Sequence, residues 1–397
     1  MNGRIVKLEI EEDCKIYLNI NLKRDINLDY KILNYENYLN LHSSKNKIIN
    51  SKDWDKYKKY ANDYELIHLP NKRNSSESVA LYNPLSRSYF KMIEMIYDFN
   101  LLDIVEENLK TAHLAEGPGG FLEATYNVSH KKGFKYYSYH GITLKSYSND
   151  IPGWGNSVLF NPNNNVHLSY GVDDTGSLYN YNNIINFVNN IGIGTCNLVT
   201  GDGGFDFSTN FNNQEQNSFR LIFCEIITSL FLQKTGGNLV CKFFDIYTFQ
   251  TIKLLYFIGC FYEELYIFKP FTSRSGNSEK YVIAKGFKGI DYLYLEKLLD
   301  VIRIWDEEKE LHINEIFDTP IPSSFIKQIK NFNLVNSKIQ IQTINYTIDL
   351  LNNKKNLSEI NKIVEKQVEK ATEWCKKYGE EINEKSNFIS RYYINRY

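Results

Sequence analysis

The stretch HLAEGPGGFLEA, residues 113–124, joins an apolar segment, a glycine-rich loop and the start of a helix. His113-Leu114-Ala115 is the apolar segment, and the helix is expected to include Leu122 and Ala124. A glycine cluster at such a junction lets the backbone approach a ligand closely and directs the helix N-terminal amides at it. The loop matches neither GxGxxG nor a Walker loop, which disfavours a dinucleotide dehydrogenase or an NTPase. For the loop alone, an ordinary tight turn remains the alternative.

Strand and helix patterns continue on both sides of this loop, between residues 66 and 290. Helical spacing covers 89–97, and a long apolar helix covers 219–232, closed by the glycines at 236–237. The expected strands are short apolar runs at 136–142, 197–200, 238–244, 265–268 and 280–284. Repeated strand–helix units joined by short glycine turns predict an α/β fold with a doubly wound sheet.

The regions flanking this centre differ from it. We therefore expect an N-terminal extension at 1–65, an α/β domain at 66–290 and a C-terminal module at 291–397. The opening residues 5–10 alternate loosely, as an edge strand does. Residues 354–386 carry apolar positions at spacings near three and four, which predicts an amphipathic helix and a helix-rich C-terminal module.

Composition limits the class of protein. The 397 residues include 46 Lys and Arg and 47 Asp and Glu, a net charge of −1, which disfavours a globally basic coat protein but not a local basic groove. The six cysteines form no CxxC pair and the seven histidines no HxxxH pattern, so we expect no metal site. We expect no membrane span, because no run approaches the roughly 18 apolar residues it needs. A secretory signal is not expected either, because the first residues are charged.

Two charged residues stand out by their place in apolar runs. Asp202, in the Gly-rich segment 201–204, is either a turn former or a functional acid at the sheet edge where α/β proteins place catalytic groups. Lys242 lies inside the run 239–244, whose neighbours predict burial. A buried lysine is costly unless paired and is often functional, and the alternative is a strand-end lysine that reaches water.

Other charged residues are typical of a solvated surface when taken alone. Lys91 precedes the glycine loop on a predicted helix, and Glu279 precedes the strand at 280–284. A lysine-rich stretch in the N-terminal region is either a solvated helix face or a phosphate-contacting surface with stacking rings. Its members are Lys45, Lys47, Lys52, Lys56, Lys58 and Lys59, interleaved with Trp54, Tyr57 and Tyr60.

Together these features resemble the FtsJ-like family of S-adenosylmethionine-dependent RNA 2′-O-methyltransferases. The likeness is strongest to the mRNA cap 2′-O-methyltransferases of eukaryotes and large DNA viruses, and it covers residues 80–290. The segments that carry it are SRSYFKMIEM (86–95), AEGPGGFLEA (115–124), GDGGFDF (201–207), GGNLVCKFFDIYT (236–248) and FKPFTSRSGNSEKYVIAKG (268–286). The last segment has the TSR-xx-NSE-x-YV form of the family, which makes the match specific.

The resemblance implies a Rossmann-like methyltransferase sheet, S-adenosyl-L-methionine as cofactor and a defined set of site residues. The catalytic tetrad would be Lys91, Asp202, Lys242 and Glu279. The cofactor would contact Asp173, Asp202 and the loop residues Glu116, Gly117, Pro118, Gly119, Gly120 and Phe121. Ser86, Arg87 and Asn277 would lie near the RNA. The family usually has an apolar or small residue where this chain has Glu116, which leaves the role of Glu116 open.

The implied chemistry places most weight on Lys242. A ribose 2′-hydroxyl is a weak nucleophile, so it needs alignment and help in losing its proton. Lys242 acts as a base only if its pKa falls: burial and Lys91 lower that pKa, whereas Asp202 and Glu279 raise it. The sequence leaves this balance open. If Lys242 stays charged, it orients the oxygen and stabilises developing negative charge.

The resemblance implies methylation of the first transcribed nucleotide of capped mRNA. The capped 5′ end would be the partner, together with other capping or transcription proteins. Alternatives are the second cap nucleotide, an internal RNA ribose, or a non-catalytic RNA-binding subunit. Basic residues at 72, 73, 87, 91, 269, 274 and 280 would line an RNA groove. A viral protein would act in the cytoplasm or the virion, and a cellular one in the nucleus.

Overall fold

The architecture is that of a computed structural model of the chain. The structure describes residues 4–11, 17–25, 30–48, 53–69, 77–104, 106–145, 152–205, 211–308, 312–353 and 357–389. The strands in these ranges are β1 (Ile5–Leu8), β2 (Ile20–Asp25), β3 (Asn108–Leu114), β4 (Tyr136–Ile142), β5 (Val166–Ser169), β6 (Cys196–Gly201), β7 (Gln233–Phe243), β8 (Tyr262–Phe268), β9 (Lys280–Phe287) and β10 (His312–Phe317). The α-helices are α1 (Tyr35–Asn46), α2 (Trp54–Tyr60), α3 (Ser88–Asp98), α4 (Gly120–Lys132), α5 (Tyr181–Ile191), α6 (Gln214–Leu232), α7 (Phe249–Cys260), α8 (Tyr292–Glu307), α9 (Ser323–Asn352) and α10 (Leu357–Tyr378).

Eight strands form one sheet in the order β1-β8-β9-β7-β6-β3-β4-β5. The run from β7 to β5 is parallel, whereas β9 is antiparallel to β7 and β8, and β1 is antiparallel to β8. The order of connection reverses between β3 and β6. After β3 the chain forms β4 and β5 on one side of that strand, and it then forms β6 and β7 on the other side. Ligands of α/β sheets bind at such a switch point, beyond the carboxyl ends of the strands. The glycine-rich loop follows β3 and Asp202 follows β6, so both lie at this point.

Helices cover both faces of the sheet, which confirms the predicted doubly wound α/β fold. β6 is buried along its whole length, as expected of a parallel strand between two helix layers. Val199 of β6 packs into a core with α5, α6, α7 and α8, whereas Leu198 packs on the opposite face with α3, α4 and α10. Alternate residues of the central strands therefore belong to two separate cores.

The central strands expected from the sequence are all present, with bounds that differ by a few residues. One helix end differs more: α6 ends at Leu232, and the glycines at 236–237 lie in β7 instead of closing the helix. The helix ends earlier because Gln233 adopts extended backbone angles (φ −68°, ψ 125°) and its side-chain amide donates to the carbonyl oxygen of Cys196 in β6. Periodicity did not predict β5 or the two-stranded sheet of β2 and β10, which are short and only partly buried.

Both flanking regions pack on the central part of the chain. β1 pairs antiparallel with β8 at the sheet edge, which confirms the edge strand expected at 5–10. α10 accounts for most of the amphipathic helix expected at 354–386, of which 354–356 lie outside the described residues. The helix ends at Tyr378, earlier than expected, because Gly379 adopts a positive φ of 69°. The domain boundaries at 65/66 and 290/291 stay predictions. Over the part of the chain that the structure describes, no helix combines the length and apolar character needed to cross a membrane.

Trp374 fastens α10 to the central part of the fold. Its indole is buried, lies 5.5 Å from the ring centroid of Phe90 on α3, and donates a hydrogen bond to Glu94 Oε1. Glu94 also accepts hydrogen bonds from the backbone N–H groups of Phe271 and Thr272, and burial raises the pKa of Glu94 to about 7. The same carboxyl group therefore fixes both α10 and the chain that follows β8.

Replacing Trp374 with Ala is expected to lower the free energy of unfolding by about 3–5 kcal/mol, because it empties a buried ring site. Trp374→Phe keeps most of the packing and loses the hydrogen bond to Glu94, so its cost should be about 1–2 kcal/mol. Urea unfolding of both variants and the wild type measures the difference. An equal loss in the two variants would contradict an anchoring role for the packed ring.

Candidate active site

A cavity of about 990 Å³ opens at the switch point of the sheet. The loop after β3 contributes Gly117 and Pro118 to its walls, the loop after β6 contributes residues 202–205, and β7 contributes Lys242. Its volume is at the upper end of the roughly 300–1,000 Å³ typical of small-ligand sites, so it has room for more than one ligand. Among the described residues, no group of three or more His, Cys, Asp or Glu side chains is placed to hold a metal ion.

Lys242 and Asp202 form the first of two ion pairs beside this cavity. Lys242 Nζ lies 3.2 Å from Asp202 Oδ1 and donates a hydrogen bond of 2.6 Å to the Asp202 carbonyl oxygen. Tyr281, which is the register partner of Lys242 on β9, donates its hydroxyl to Asp202 Oδ1 at 3.1 Å. The side chains of Lys242 and Asp202 are 12% and 14% exposed, so the pair is shielded from bulk water but open to the cavity.

Lys91 and Glu279 form the second ion pair. Lys91 Nζ, on α3, lies 2.7 Å from Oε1 of Glu279, the residue before β9. Ser273 donates its hydroxyl to the same carboxylate oxygen at 2.9 Å. Lys91 Nζ also lies 6.0 Å from the ring centroid of Tyr281, whose hydroxyl contacts Asp202. The structure therefore brings the four predicted residues together, with Tyr281 adjoining both pairs.

The charges of this tetrad decide how Lys242 can act. Burial disfavours the Lys242 ammonium, but the carboxylates of Asp202 and Glu279 outweigh burial, and the pKa of Lys242 is raised above its ordinary value. Burial also favours a neutral Glu279, yet Lys91 and Lys242 hold the pKa of Glu279 well below its usual range. Lys242 is therefore an ammonium group at neutral pH, and the balance that the sequence left open favours the charged form.

Residues 84–287 match the family model of the FtsJ-like methyltransferases. This segment is just over half of the chain and contains all four residues of the tetrad. The chain belongs to the FtsJ-like methyltransferase family. The family resemblance inferred from the sequence motifs is thereby confirmed, and the first 83 residues and those after 287 lie outside the match.

Curated relatives of this FtsJ-like protein include enzymes named for the mRNA cap. Cap-specific mRNA (nucleoside-2′-O-)-methyltransferase 1 of Mus musculus is 35% identical over 232 residues, which cover 52% of this chain and 26% of the mouse protein. Cap-specific mRNA (nucleoside-2′-O-)-methyltransferase 2 of Pongo abelii is 29% identical over 276 residues, which cover 67% of this chain and 35% of that protein. The chain thus spans about a third or less of the length of these relatives. A crystal structure assigned provisionally to a ribosomal RNA methyltransferase of Plasmodium falciparum covers 52% of this chain and 99% of its own, at 18% identity and a TM-score of 0.38.

The glycines of the FtsJ-like loop are required by the packing of the protein itself. A Cβ atom on Gly117 would lie 1.9 Å from the carbonyl oxygen of Pro152, and one on Gly120 would lie 2.2 Å from the hydroxyl of a serine on α3. Phe121 is fully buried. Of this loop, Gly117 and Pro118 line the cavity, so they are the members placed to touch a ligand. Contact by Gly119, Gly120 and Phe121 stays a prediction.

Two acidic residues expected to bind the cofactor are engaged within the protein. Glu116 is buried, accepts the hydroxyl of Thr200, and lies 3.3 Å from His113 Nδ1; burial raises the pKa of Glu116. Asp173 accepts hydrogen bonds from the backbone and hydroxyl of Thr175 in its own turn. Neither Glu116 nor Asp173 is among the described residues that line the cavity, and their contact with a cofactor stays a prediction.

The three residues expected near RNA line the same cavity, but the Arg87 side chain already makes hydrogen bonds within the protein. Ser86, Arg87 and Asn277 all contribute to its lining. The Arg87 guanidinium donates to the backbone carbonyl oxygens of Tyr64 and Thr272, so it joins the N-terminal region to the chain after β8. Asn277 is exposed. A direct role of the three in RNA binding stays a prediction.

Two lysines expected in a basic groove are buried instead. Lys269 donates hydrogen bonds to the backbone carbonyl oxygens of Asn277 at 2.9 Å and Glu279 at 2.6 Å, and burial lowers the pKa of Lys269 well below its ordinary value. Lys280 donates to the carbonyl oxygen of Phe244 at 2.6 Å. Both lysines therefore fix the chain around Glu279, and the groove prediction was wrong for them. The basic residues at 72 and 73 lie outside the described ranges.

Glu225 of α6 was not singled out from the sequence, although it supports the loop after β6. Its Oε1 accepts the Gly203 N–H at 2.9 Å, and a Cβ atom on Gly203 would lie 2.5 Å from that oxygen. Burial raises the pKa of Glu225 to about 8, so the carboxyl group is mostly protonated at neutral pH. The available signal was a glutamate inside an apolar helix run, since acids are rarely buried without a partner.

Glu225→Gln is expected to weaken the dependence of stability on pH. In the unfolded chain the carboxyl group ionises near its ordinary pKa of 4.5, whereas in the folded protein its pKa is about 8. The folded state therefore binds more protons between these values, and the Glu225 contribution to stability falls as the pH rises from about 5 to about 8. Glutamine does not titrate, so the loss of unfolding free energy over this range should shrink by about 1–3 kcal/mol.

Urea unfolding at about pH 5.5 and about pH 8 measures this effect. Glu107→Gln, which changes an exposed glutamate in a surface ion pair with Lys135, is the control and should leave the pH dependence as in the wild type. The same pH dependence in Glu225→Gln and the wild type would contradict a buried, neutral carboxyl group at Glu225.

Proposed function

We propose that this protein methylates the ribose 2′-hydroxyl of the first transcribed nucleotide of capped mRNA, with S-adenosyl-L-methionine as the methyl donor. The observation that carries the proposal is the convergence of Lys91, Asp202, Lys242 and Glu279. Asp202, Lys242 and Glu279 line one cavity, and Lys91 joins them through its ion pair with Glu279. The names of the curated relatives supply the substrate class, because they describe cap-specific mRNA 2′-O-methyltransferases.

The walls of the cavity suit S-adenosyl-L-methionine. Leu144, Leu178 and Tyr179 line it with apolar surface that an adenine ring can cover. Gly117 and Asp202 lie on the side of the strand ends, where the Asp202 carboxylate complements the positive charge of a sulfonium group. When bound, this donor supplies a methyl group on a positively charged sulfur, which is already a good electrophile. We assign these five residues to the donor site.

Lys242 orients the acceptor hydroxyl in this proposal. Its ammonium group, held by Asp202, donates a hydrogen bond to the 2′-oxygen and thereby directs an oxygen lone pair toward the methyl carbon. Alignment of this kind contributes about 7–11 kcal/mol in well-oriented systems. The raised pKa of Lys242 favours this role over that of a general base. The 2′-proton passes to water in the open cavity, and the same positive charge stabilises the negative charge that develops on the oxygen as that proton leaves.

In this proposal, Lys91 and Glu279 influence the charge and position of Lys242 rather than contacting Asp202. Glu279 lies close enough to contribute to the raised pKa of Lys242, and Lys91 pairs with Glu279 at 2.7 Å. Removal of Glu279 would therefore weaken the charged state of Lys242 and leave Lys91 unpaired in a site that is largely shielded from water. We assign the pair to setting the charge and position of Lys242.

Several alternatives keep the same donor. Relatives named cap-specific methyltransferase 1 and methyltransferase 2 both align with this chain, so the names leave the acceptor nucleotide to experiment. The second cap nucleotide and an internal RNA ribose are the rival acceptors. A non-catalytic RNA-binding subunit is disfavoured by the intact tetrad. Other capping or transcription proteins would make the capped 5′ end, and the proposal assigns them no contact with this chain.

Lys242→Ala should reduce methyl transfer roughly 100-fold or more, because the hydroxyl group loses the residue that aligns it and assists loss of its proton. Binding of S-adenosyl-L-methionine should change little, since Lys242 holds the acceptor. Tritium transfer to capped RNA and titration calorimetry measure the two effects. Lys285→Ala, on the neighbouring strand β9 and paired at the surface with Glu264, is the control. Retained turnover in Lys242→Ala would refute the assignment.

The same assay identifies the acceptor with short RNAs that differ in the cap and in the 2′-O-methyl state of the first two nucleotides. We expect transfer to capped RNA that is lost when the first nucleotide is already methylated. Transfer that persists on that RNA would favour the second or an internal ribose. Binding of capped RNA without any transfer would favour the non-catalytic alternative, and equal transfer to uncapped RNA would contradict cap specificity.

A further inference from the structure

The cavity extends beyond the tetrad into an outer arm, which is bounded by α2, the loop at residues 274–278 and α9. α2 contributes Trp54, Asp55 and Lys58 to the lining of this arm. α2 and α9 both lie outside the 84–287 segment that matches the family. The outer arm is therefore built largely by the flanking regions of this chain, and it adjoins the tetrad because the loop at 274–278 leads directly into Glu279.

The structure sorts the lysine and aromatic residues of the N-terminal region into two groups. Trp54 and Lys58 are four residues apart and line the arm together, as neighbours on one face of a helix do. Tyr57 lies 6.1 Å from Tyr60 between ring centroids and is not among the described residues that line the cavity. Lys45 also borders the cavity, but its ammonium group is buried in an ion pair with Asp245. Of the two interpretations that the sequence left open, stacking and phosphate contact thus fit Trp54 and Lys58, not the whole stretch.

α2 is held in place from its outer side by α10. The Gln367 amide donates hydrogen bonds of 2.8 Å to the backbone carbonyl oxygens of Lys59 and Asn62, at and just beyond the end of α2. α9 also packs against α2 and contributes Thr343 and Thr347 to the lining. α2 is thus held by both α9 and α10, and the half-buried indole of Trp54 shares the arm with polar side chains, an arrangement that suits a flat ligand with polar edges.

We propose that Trp54 stacks on a nucleobase of the RNA 5′ end next to the methylated nucleotide, while Lys58 faces the connecting phosphates. The inference rests on the proposed function and names a substrate subsite for it. Indole rings stack on the bases of single-stranded RNA whatever their sequence. Lys58 is paired with Asp55, which is largely exposed. Such a surface ion pair contributes little free energy, so the Lys58 ammonium can leave Asp55 and bind a phosphate instead.

Two bases share the chemistry that this subsite requires: the 7-methylguanine of the cap and the base that follows the methylated nucleotide. Each is a flat ring attached to a chain of phosphates. The 7-methylguanine also carries a positive charge, which an indole face attracts and which the neighbouring Asp55 carboxylate complements. RNAs with and without the N7-methyl group, and with and without the following nucleotide, separate the two sources.

Trp54→Ala is expected to raise KM for short capped RNA roughly fivefold to 100-fold, because stacking on one base is lost. Its kcat at saturating RNA should stay within about twofold of the wild type, since the tetrad is intact. Trp54→Phe should recover most of the affinity, because a phenyl ring also stacks. Tyr57→Ala, on the same helix but outside the described lining, is the matched control and should leave KM unchanged.

The RNA set assigns the stacked base. An effect of Trp54→Ala that depends on the N7-methyl group assigns the cap guanine. An effect that is equal with and without this methyl group, and that disappears when the following nucleotide is removed, assigns that following base. Either pattern supports a stacking subsite at Trp54.

Two results would overturn the inference while leaving the proposed function in place. One is a KM for Trp54→Ala within about twofold of the wild type on every RNA, in a variant that unfolds at the same urea concentration as the wild type. The other is an equal rise in KM for Trp54→Ala and Tyr57→Ala, which would indicate general loosening of α2. If the wild type transfers no methyl group, the proposed function fails, and fluorescence quenching by 7-methyl-GTP or short RNA, taken as the difference between wild type and Trp54→Phe, tests the subsite alone. No quenching by either would overturn it.

Discussion

Two lysine ammonium groups lie largely out of solvent, each in contact with a carboxylate, and the rest of the site depends on this pairing of charges. A buried ion is costly unless its partner is in contact with it. Lys242 and Asp202 lie at the ends of β7 and β6, whereas Lys91 lies on α3 and Glu279 just before β9, so four elements must keep a fixed arrangement. Displacing any one of them would leave an unpaired charge among side chains that are only 12–15% exposed.

A second cluster of buried charge lies next to the first along the same strands. Asp245, three residues beyond Lys242, pairs with Lys45 of α1 and lies 3.6 Å from Lys280, the residue after Glu279. The strand that carries Lys242 and the chain that carries Glu279 are thereby joined to α1 in the N-terminal region. The extension is therefore part of what positions the site. The outer arm is a second example of a flanking region that helps to build the site, because α2 and α9 line the same cavity.

Local patterns made much of the fold and the tetrad predictable from the sequence. Central strands such as β6 are apolar runs bounded by glycine because helices cover both faces, and the tetrad lies in motifs of recognisable order. Contacts between distant segments leave no such pattern: Lys45 and Asp245 are 200 residues apart, and Pro152, which requires glycine at 117, lies in a stretch without periodicity. The charge of Lys242 could not be predicted either, because it depends on burial summed with two carboxylates whose positions the sequence does not give.

The central claim is that one ribose oxygen meets the charged amine of Lys242 beside the donor. A crystal structure with S-adenosylhomocysteine and a short capped RNA measures this directly. We expect the 2′-oxygen of the first transcribed nucleotide within about 3.2 Å of Lys242 Nζ, with Lys242 still in contact with Asp202. A complex in which that oxygen lies out of hydrogen-bond reach of Lys242, or in which another residue holds it, would contradict the claim.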